Sequence, residues 1–519
     1  LFMENQPYIT KIQVKKNKFL IFVQYSGTVS GLQGRIHFCN AWLDYSHDLT
    51  AIQSSADTLL YSIDTAILES SEGDWEFLLY QTDSDISYTP ILSNRTRLTL
   101  LLGRHYIRKQ KLLYFPMGGS AHKLLIRCRH WQRYDTFSHR LKELSAFGIY
   151  KLFGRFVRKK HIWLVYEKFC ITAQENGFYF FEYCMKHQKK NVYFILDKTS
   201  PQWDYMQKYK DNLIPFLSFR HILYLLCADL YISPDARYHA YAWKPMPNPV
   251  TREINSQKLL FLQHGVTAMK KVDHLFGARG SSPATYFVTT SAAEQEIITQ
   301  NFGYPPEKAP ILGFARWDGL RDTSDPAHPV ILLMPTWRSW LEGQNNEIFQ
   351  QSSYYQHYAS LLSNQELQDY LKAHELKLLF YIHPKLQEFI STFHSEDSQI
   401  ELYSFDSMPL NQLLMRCSMM ITDYSSACWD VYYQGKPVLF YQFDVDDYNR
   451  TNGSYLNMEK DLFGDRCTEQ EDLVHLIKDY AENGFQEKQK YAEMRKEYFA
   501  YIDHNNCQRT YEYIKSQGY

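Results

Sequence analysis

The chain has 519 residues, more than one hydrophobic core accommodates at roughly 100–200 residues per domain, so about three compact units are expected. Apolar residues make up 45% and charged residues 22%, with only 22 Gly and 19 Pro, which excludes disordered and collagen-like chains. The net charge of −1 hides an asymmetry: residues 101–160 hold fifteen Lys or Arg against Asp135 and Glu143, a local +13 that leaves −14 elsewhere.

The 32 Phe, 41 Tyr and 10 Trp suit a large core together with surfaces that touch sugars or a membrane interface. Nine cysteines stand singly with no CxxC pair, which argues against a disulfide framework or zinc ribbon and for a reducing cytoplasm. The start, LFMENQPYITKIQ, lacks a basic segment followed by an apolar one, so no secretory signal is expected. The longest apolar-leaning stretch, residues 222–233, is broken by Asp229 and falls well short of the ~20 residues a spanning helix needs.

Residues 1–125 read as a β-rich accessory domain. KNKFLIFVQYSG, GRIHFCNAW, DTLLYSIDTAIL, DWEFLLYQTD, TRLTLLLG and HKLLIRCRHW alternate with period two at a spacing of about ten residues. Residues 126–160 read as a basic helical connector, laced with Trp131, Tyr134, Phe137, Phe147, Tyr150, Phe153 and Phe156. Basic residues with interleaved aromatics suit an anionic membrane surface at 101–160. Nucleic acid would match the charge, but none of its usual signatures is present, so it is not expected as a partner.

From residue 161 apolar strands alternate with helices, the pattern of a parallel sheet covered on both faces. HIWLVYE, NVYFIL, ADLYIS, KLLFLQHG and ATYFVTT outline a first half over 161–322. PVILLMPTW, KLLFYIHP, QIELYSF, SMMIT and KPVLFYQ outline a second over 323–519, closed by a long charged helix from 469 to 516. The expected class is α/β: two Rossmann-like halves facing a cleft, preceded by the β domain, with ligands beyond the strand C-termini.

Those C-termini are polar. SMMIT runs into DYSSACWDVYYQG, read as a helix with Ser425 and Ser426 at its N-terminus, a place that suits phosphate, and Asp423 or Ser425 as its cap. Asp430 follows one turn later, within reach of a ribose hydroxyl. His264-Gly265 and His383-Pro384 each end a strand, one in each half, where an imidazole can act as acid, base or ligand. Arg316 and Arg338 lie on turns and offer forked donors for phosphate. No Walker or dinucleotide glycine motif and no metal-ligand spacing occurs, and DVDD (residues 444–447) reads as a loop.

Taken together, QHG followed by Lys270 and Lys271, then GFARWD, PTWR, HP, ITDYSSACWD and KPVLFYQFD closely resemble the CDP-glycerol glycerophosphotransferase family, which includes teichoic acid primases and polymerases. The resemblance spans about residues 162–480 and implies a GT-B fold. It implies transfer of glycerol phosphate or ribitol phosphate from a CDP-alditol to a hydroxyl of a lipid-linked teichoic acid or capsule-type glycan, with release of CMP. His264 would be the base. His383, Ser425 and Ser426 would hold the donor pyrophosphate, assisted by Arg316 and Arg338, and Asp430 with Asp423 would sit near the ribose. Gly265, Lys270 and Lys271 would face the acceptor.

The resemblance implies a CDP-alditol as donor with no cofactor or metal required, and a peripheral site of action on the cytoplasmic face of a bacterial membrane. Departures from the family pattern are Val266 and Thr267 after the glycine, Ala315 before Arg316, and Thr422 at the head of the serine motif. The first two bear on the acceptor side. The alternative reading keeps the fold but transfers a sugar from a nucleotide sugar.

Overall fold

A computed structural model describes residues 6–25, 32–39, 45–54, 57–68, 72–81, 87–103, 105–404 and 408–519. Arg104, the expected strand ends at 26–27, 40–42, 82–83 and 405, and residues 1–5 lie outside them. The chain forms two compact units. One comprises Leu1–Lys159, Phe216–Cys227 and Tyr241–Ser256, and the other Lys160–Pro215, Ala228–Ala240 and Gln257–Tyr519.

The first unit contains two largely antiparallel sheets. One is ordered Gln53–Ser54, Thr58–Asp64, Lys18–Gln24, Tyr8–Lys15, Ile91–Leu92. The other runs Ile107–Lys109, Leu112–Gly118, Leu124–His130, Gly73–Gln81, Leu32–Phe38, Ser46–Leu49. Alternate residues of both sheets, among them Phe19, Ile21, Ile36, Tyr61, Trp75 and Phe77, form one core.

Three expectations change here. TRLTLLLG is not a strand but the end of a helix, Asn94–Leu101, started by the Ser93 hydroxyl accepting the Thr96 N–H at 3.2 Å. The boundary at 125 falls inside the strand Leu124–His130, so the basic helix begins only at Phe137 and runs to Arg158. Residues 216–227 and 241–256 also belong to this unit rather than to the first α/β half. They are tied to that helix by Lys142 on the Leu217 carbonyl, His139 on Tyr241, and Tyr150 and Lys151 on Glu253.

The second unit holds two six-stranded parallel sheets. In each, the strands taken in chain order lie 3-2-1-4-5-6. Strands 1, 4 and 5 are Trp163–Val165, Leu230–Ser233 and Leu259–Phe261 in the first sheet, and Val330–Leu333, Met419–Thr422 and Val438–Tyr441 in the second. All four strands at the two centres are buried along their whole length, which is why they read as unbroken apolar runs. In this order the connections leave in opposite directions from strands 1 and 4, and a crevice opens at their C-terminal ends.

The long terminal helix is instead three, Gln470–Glu482, Gln489–Tyr498 and Asn506–Ser516. The first break follows Gly484 and Phe485, both with positive φ. The last helix returns to the first sheet, where Asp318 accepts the N–H groups of Asn506 and Cys507, and Tyr511 packs on Trp163.

Candidate active site

The functional side chains follow strand ends of both sheets and line one cavity of about 440 Å³ in the second unit. Glu175, Asp235, His264 and Arg316 come from the first half, and His383, Ser425, Ser426 and Asp430 from the second.

His264 is presented by a strained turn. Gln263 adopts φ +59°, and its side chain and the following backbone are locked by Glu294, which accepts from Gln263 Nε2 at 3.0 Å and from the Thr267 N–H at 2.7 Å. The Thr267 that departs from the family pattern thus anchors the loop from inside. Gly265 must lack a side chain: a Cβ there would come within 2.5 Å of Ser426 Cβ and Oγ. The His-Gly loop and the serine turn therefore touch.

His264 sits between two carboxylates. Its Nδ1 is 2.8 Å from Glu175 Oε2 and its Nε2 3.5 Å from Asp235 Oδ1, while 44% of the side chain stays open to solvent. The cleft walls disfavour its charge, but Glu175 and then Asp235 outweigh them and push its pKa up to about 10. The imidazole is held as a cation.

Neither carboxylate was singled out from the sequence. Asp235 lies two residues past a strand in ISPD, a signal open to the strand-end argument. Glu175 is positioned by tertiary contacts alone. Glu167, fully buried at the end of strand 1, accepts the N–H groups of Gln174, Glu175 and Phe178 at 2.7–2.9 Å and so shapes the loop that carries Glu175. Burial, then the neighbouring Glu175, push Glu167 up to about 8, against those hydrogen bonds. Asn176 ties three loops together, donating to the Leu262 and Gln263 carbonyls and accepting the Arg316 N–H.

His383 is the opposite case. Its Nδ1 accepts the Lys385 N–H at 3.2 Å, so the ring proton resides on Nε2. Burial, then Lys168, Lys385 and Lys270, pull its pKa down to about 4. It is a neutral donor in a positive field. Lys270, expected on the acceptor side, is part of that field: its ammonium stands 5.3 Å over the Trp337 ring, which also faces His383. Lys271 packs instead on Gly453, where a Cβ would meet its Cδ at 2.9 Å.

Ser425 and Ser426 are not inside a helix. The helix is only Cys428–Tyr433, and the two serines form the turn before it, with Ser425 Oγ accepting the Ala427 N–H at 3.3 Å. Asp430 is not free for a ribose. Both its oxygens accept from Arg316, at 2.7 Å each, and Trp317 Nε1 donates to one of them at 2.9 Å. Arg316 is thereby aimed along the cleft, and its Nη1 is buried without a partner.

Arg338 and Asp423 leave the site altogether. Both are fully buried, and Arg338 donates to Asp423 Oδ2 and Asp444 Oδ2 at 2.8 Å and to the Thr336 carbonyl at 2.6 Å. Asp423 also accepts the N–H groups of Thr336 and Tyr424. The charged knot fastens three strand-end loops beneath the serine turn. Asp444, read as part of a loop, immediately precedes the helix Val445–Thr451 and completes the knot.

A family model described as CDP-Glycerol:Poly(glycerophosphate) glycerophosphotransferase matches residues 150–516. The chain belongs to this family. The chain is 30% identical to the minor teichoic acid biosynthesis protein GgaB of Bacillus subtilis (strain 168) over 389 residues, covering 72% of this chain and 41% of GgaB. It is 24% identical to the teichoic acid ribitol-phosphate polymerase TarK of Staphylococcus aureus (strain NCTC 8325 / PS 47), covering 62% of this chain and 64% of TarK. The chain thus spans less than half the length of GgaB. In fold it is similar to the wall teichoic acid polymerase TagF, with a TM-score of 0.52 at 16% identity, over 75% of this chain and 100% of that one. The family match begins inside the basic helix, so it leaves the β sheets unmatched.

Proposed function

We propose that the chain transfers glycerol phosphate or ribitol phosphate from a CDP-alditol to a hydroxyl of a lipid-linked teichoic acid or capsule-type acceptor, releasing CMP. The carrying observation is the single cavity in which His264 and its carboxylates meet the serine turn, Arg316 and His383. The family supports the donor class, and one TagF structure was obtained after a soak in CDPG. We read the two 3-2-1-4-5-6 sheets as a GT-B pair.

In this reading the donor diphosphate lies against Ser425, Ser426, Arg316 and the Nε2–H of His383, which together stabilise charge on the phosphoryl oxygens and the departing CMP. The acceptor oxygen forms a new bond to the β-phosphorus as the bond to the CMP oxygen breaks. The hydroxyl proton passes to Nε2 of neutral His264, while Nδ1–H stays on Glu175. The two carboxylates hold the resulting imidazolium, as the third member of a triad does. At a pKa of about 10 only on the order of 0.1% of His264 is neutral at pH 7, so turnover should climb through the alkaline range. Incubation with CDP-glycerol or CDP-ribitol and a polyol-phosphate acceptor should yield CMP and a phosphodiester in equal amounts. CMP formation with no phosphodiester, or no reaction with either donor, would defeat the proposal.

The same proposal needs the enzyme at a lipid surface. No helix among the described residues is long and apolar enough to cross a membrane. The helix Phe137–Arg158 exposes Phe137, Leu141, Leu144, Leu152 and Phe156, which recur at the spacing of one helical face. Arg155, Arg158, Lys159 and Lys160 are also exposed at its end. An apolar stripe beside clustered cations suits an interfacial helix on anionic lipid. Sedimentation with phosphatidylglycerol vesicles, lost at high salt and absent with neutral lipid, tests it; equal binding to both lipids would refute it.

A further inference from the structure

The β-rich unit contains a second cavity that the transfer chemistry does not use. Its volume is about 800 Å³. Its walls are the helix Asn94–Leu101, the turn at 117–122 and the segment 245–255 of the same unit. Arg97, His122, Arg127 and Arg252 line it, and among the described residues no Asp or Glu does. The nearby carboxylates are already engaged: Asp74 holds Arg127 through two bonds of 2.6 and 2.7 Å, Glu76 pairs with Lys123, and Glu253 with Lys151. Arg97 has no carboxylate partner among the described residues, and Arg252 has only the charge of the adjacent Glu253, which Tyr150 and Lys151 already hold. Arg97 instead donates to His122 Nε2 at 3.2 Å, so a guanidinium and an imidazole are paired at the cavity wall.

The cavity is preformed. Arg140 Nη2 donates both to the Leu101 carbonyl at 2.6 Å and to the Pro247 carbonyl at 3.1 Å, bridging two walls. Arg129 fixes the Lys244 carbonyl at 2.9 Å. Ala121 and His122 are both left-handed, at φ +51° and +64°, a costly conformation for two successive residues with side chains. That turn holds His122 against Arg97.

Arg97 and Arg252, in a wall with no acid among its described residues, select an anion. Among the described residues no Phe, Tyr or Trp lines the space to stack on a nucleobase. The amides of Asn94 and Asn255 suit hydroxyl groups, and Leu100 and Met117 suit a carbon backbone. We propose that this cavity binds a phosphodiester-linked polyol chain, the class of the growing product under the proposed function, on which this inference rests. A polymer held by the β-rich unit would stay on the enzyme between transfers.

The test is calorimetric titration of the full chain carrying His264→Ala, so that binding is read without turnover. The probes are a synthetic oligo(glycerol phosphate), inorganic phosphate, CDP-glycerol, CDP-ribitol and phosphatidylglycerol vesicles. Arg97→Ala with Arg252→Ala should weaken the oligomer roughly 10- to 100-fold, the loss of two charge-assisted contacts, and leave CDP-glycerol affinity unchanged. Arg252→Glu alone, at an exposed side chain, should weaken it if the double variant does not fold. Undiminished oligomer binding overturns the proposal, as does inorganic phosphate binding as tightly as the oligomer, or loss confined to vesicle binding. Failure to bind either CDP-glycerol or CDP-ribitol would count against the transfer reaction instead, and leaves the oligomer result readable.

Discussion

The loops that follow strand 5 of the first sheet and the strand Lys377–Tyr381 of the second each carry a histidine, and the two histidines are electrostatic opposites. His264 is charged between Glu175 and Asp235, with its pKa pushed up to about 10. His383 is neutral among Lys168, Lys385 and Lys270, with its pKa pulled down to about 4. The same residue type at the same kind of strand end is thus made into a proton acceptor held by acids and a hydrogen-bond donor held among bases. The position is set by the fold, and the role by neighbours that arrive from distant parts of the chain.

The largest expected effect removes one member of the pair. His264→Ala should lower turnover by roughly 10²- to 10⁴-fold while donor affinity stays near that of the parent, the range for loss of a positioned general base. CMP release under saturating donor measures it. Near-parental turnover would mean that the carboxylate-held histidine is not the base.

Arg316 and Arg338 make a second contrasting pair. One is braced by Asp430 and lines the cleft; the other is sealed in the core. Arg338→Met leaves Asp423 and Asp444 as uncompensated buried charges and should cost about 3–5 kcal/mol of stability. Thermal or denaturant unfolding reads this directly. A loss under about 1 kcal/mol would show that the knot relaxes or takes up water.

Much of this was legible beforehand. Strand alternation, the two α/β halves and the places of His264, His383, Ser425 and Ser426 past strand ends follow from apolar runs that end in polar residues, although the serines form a turn rather than open the helix. The protonation of the histidines was not, because Glu175 lies 89 residues from His264 and is placed by the buried Glu167 and Asn176. Nor was the burial of Arg338. An arginine past a strand looks the same in sequence whether it faces phosphate or two aspartates. TRLTLLLG was misread because a short apolar run does not separate helix from strand, and only the Ser93 cap decides it.

Glu175→Gln sharpens the histidine comparison. Without the carboxylate, His264 should fall back towards its ordinary value of 6.5, so the rising limb of the pH–rate profile should move to lower pH. The linkage carries a sign as well. A histidine raised in the folded state contributes stability that is complete below pH 6.5 and lost as pH rises towards 10. The variant should therefore unfold with a flatter dependence between those limits. A profile that does not move would detach Glu175 from the proton.

The smallest effect concerns His383, and it runs in the opposite direction. Its folded pKa of about 4 lies below the ordinary 6.5, so between those values the unfolded chain binds a proton that the folded chain does not, and stability falls as the solution is acidified. A diphosphate placed on Nε2 adds negative charge where Lys168, Lys385 and Lys270 had made protonation unfavourable. Donor binding in that window should therefore draw a proton onto His383, and calorimetry in buffers of different ionisation enthalpy should register uptake of up to one proton. His383→Ala should abolish the uptake and weaken CDP-glycerol or CDP-ribitol, whichever is the donor, by about 1.5–3 kcal/mol, the worth of a hydrogen bond to a charged group. Ser426→Ala should weaken the same donor without touching the proton count, because a hydroxyl does not titrate in this range. If both variants lost affinity and the proton uptake persisted in His383→Ala, the titrating group would lie elsewhere, and the contrast between the two histidines would reduce to one residue.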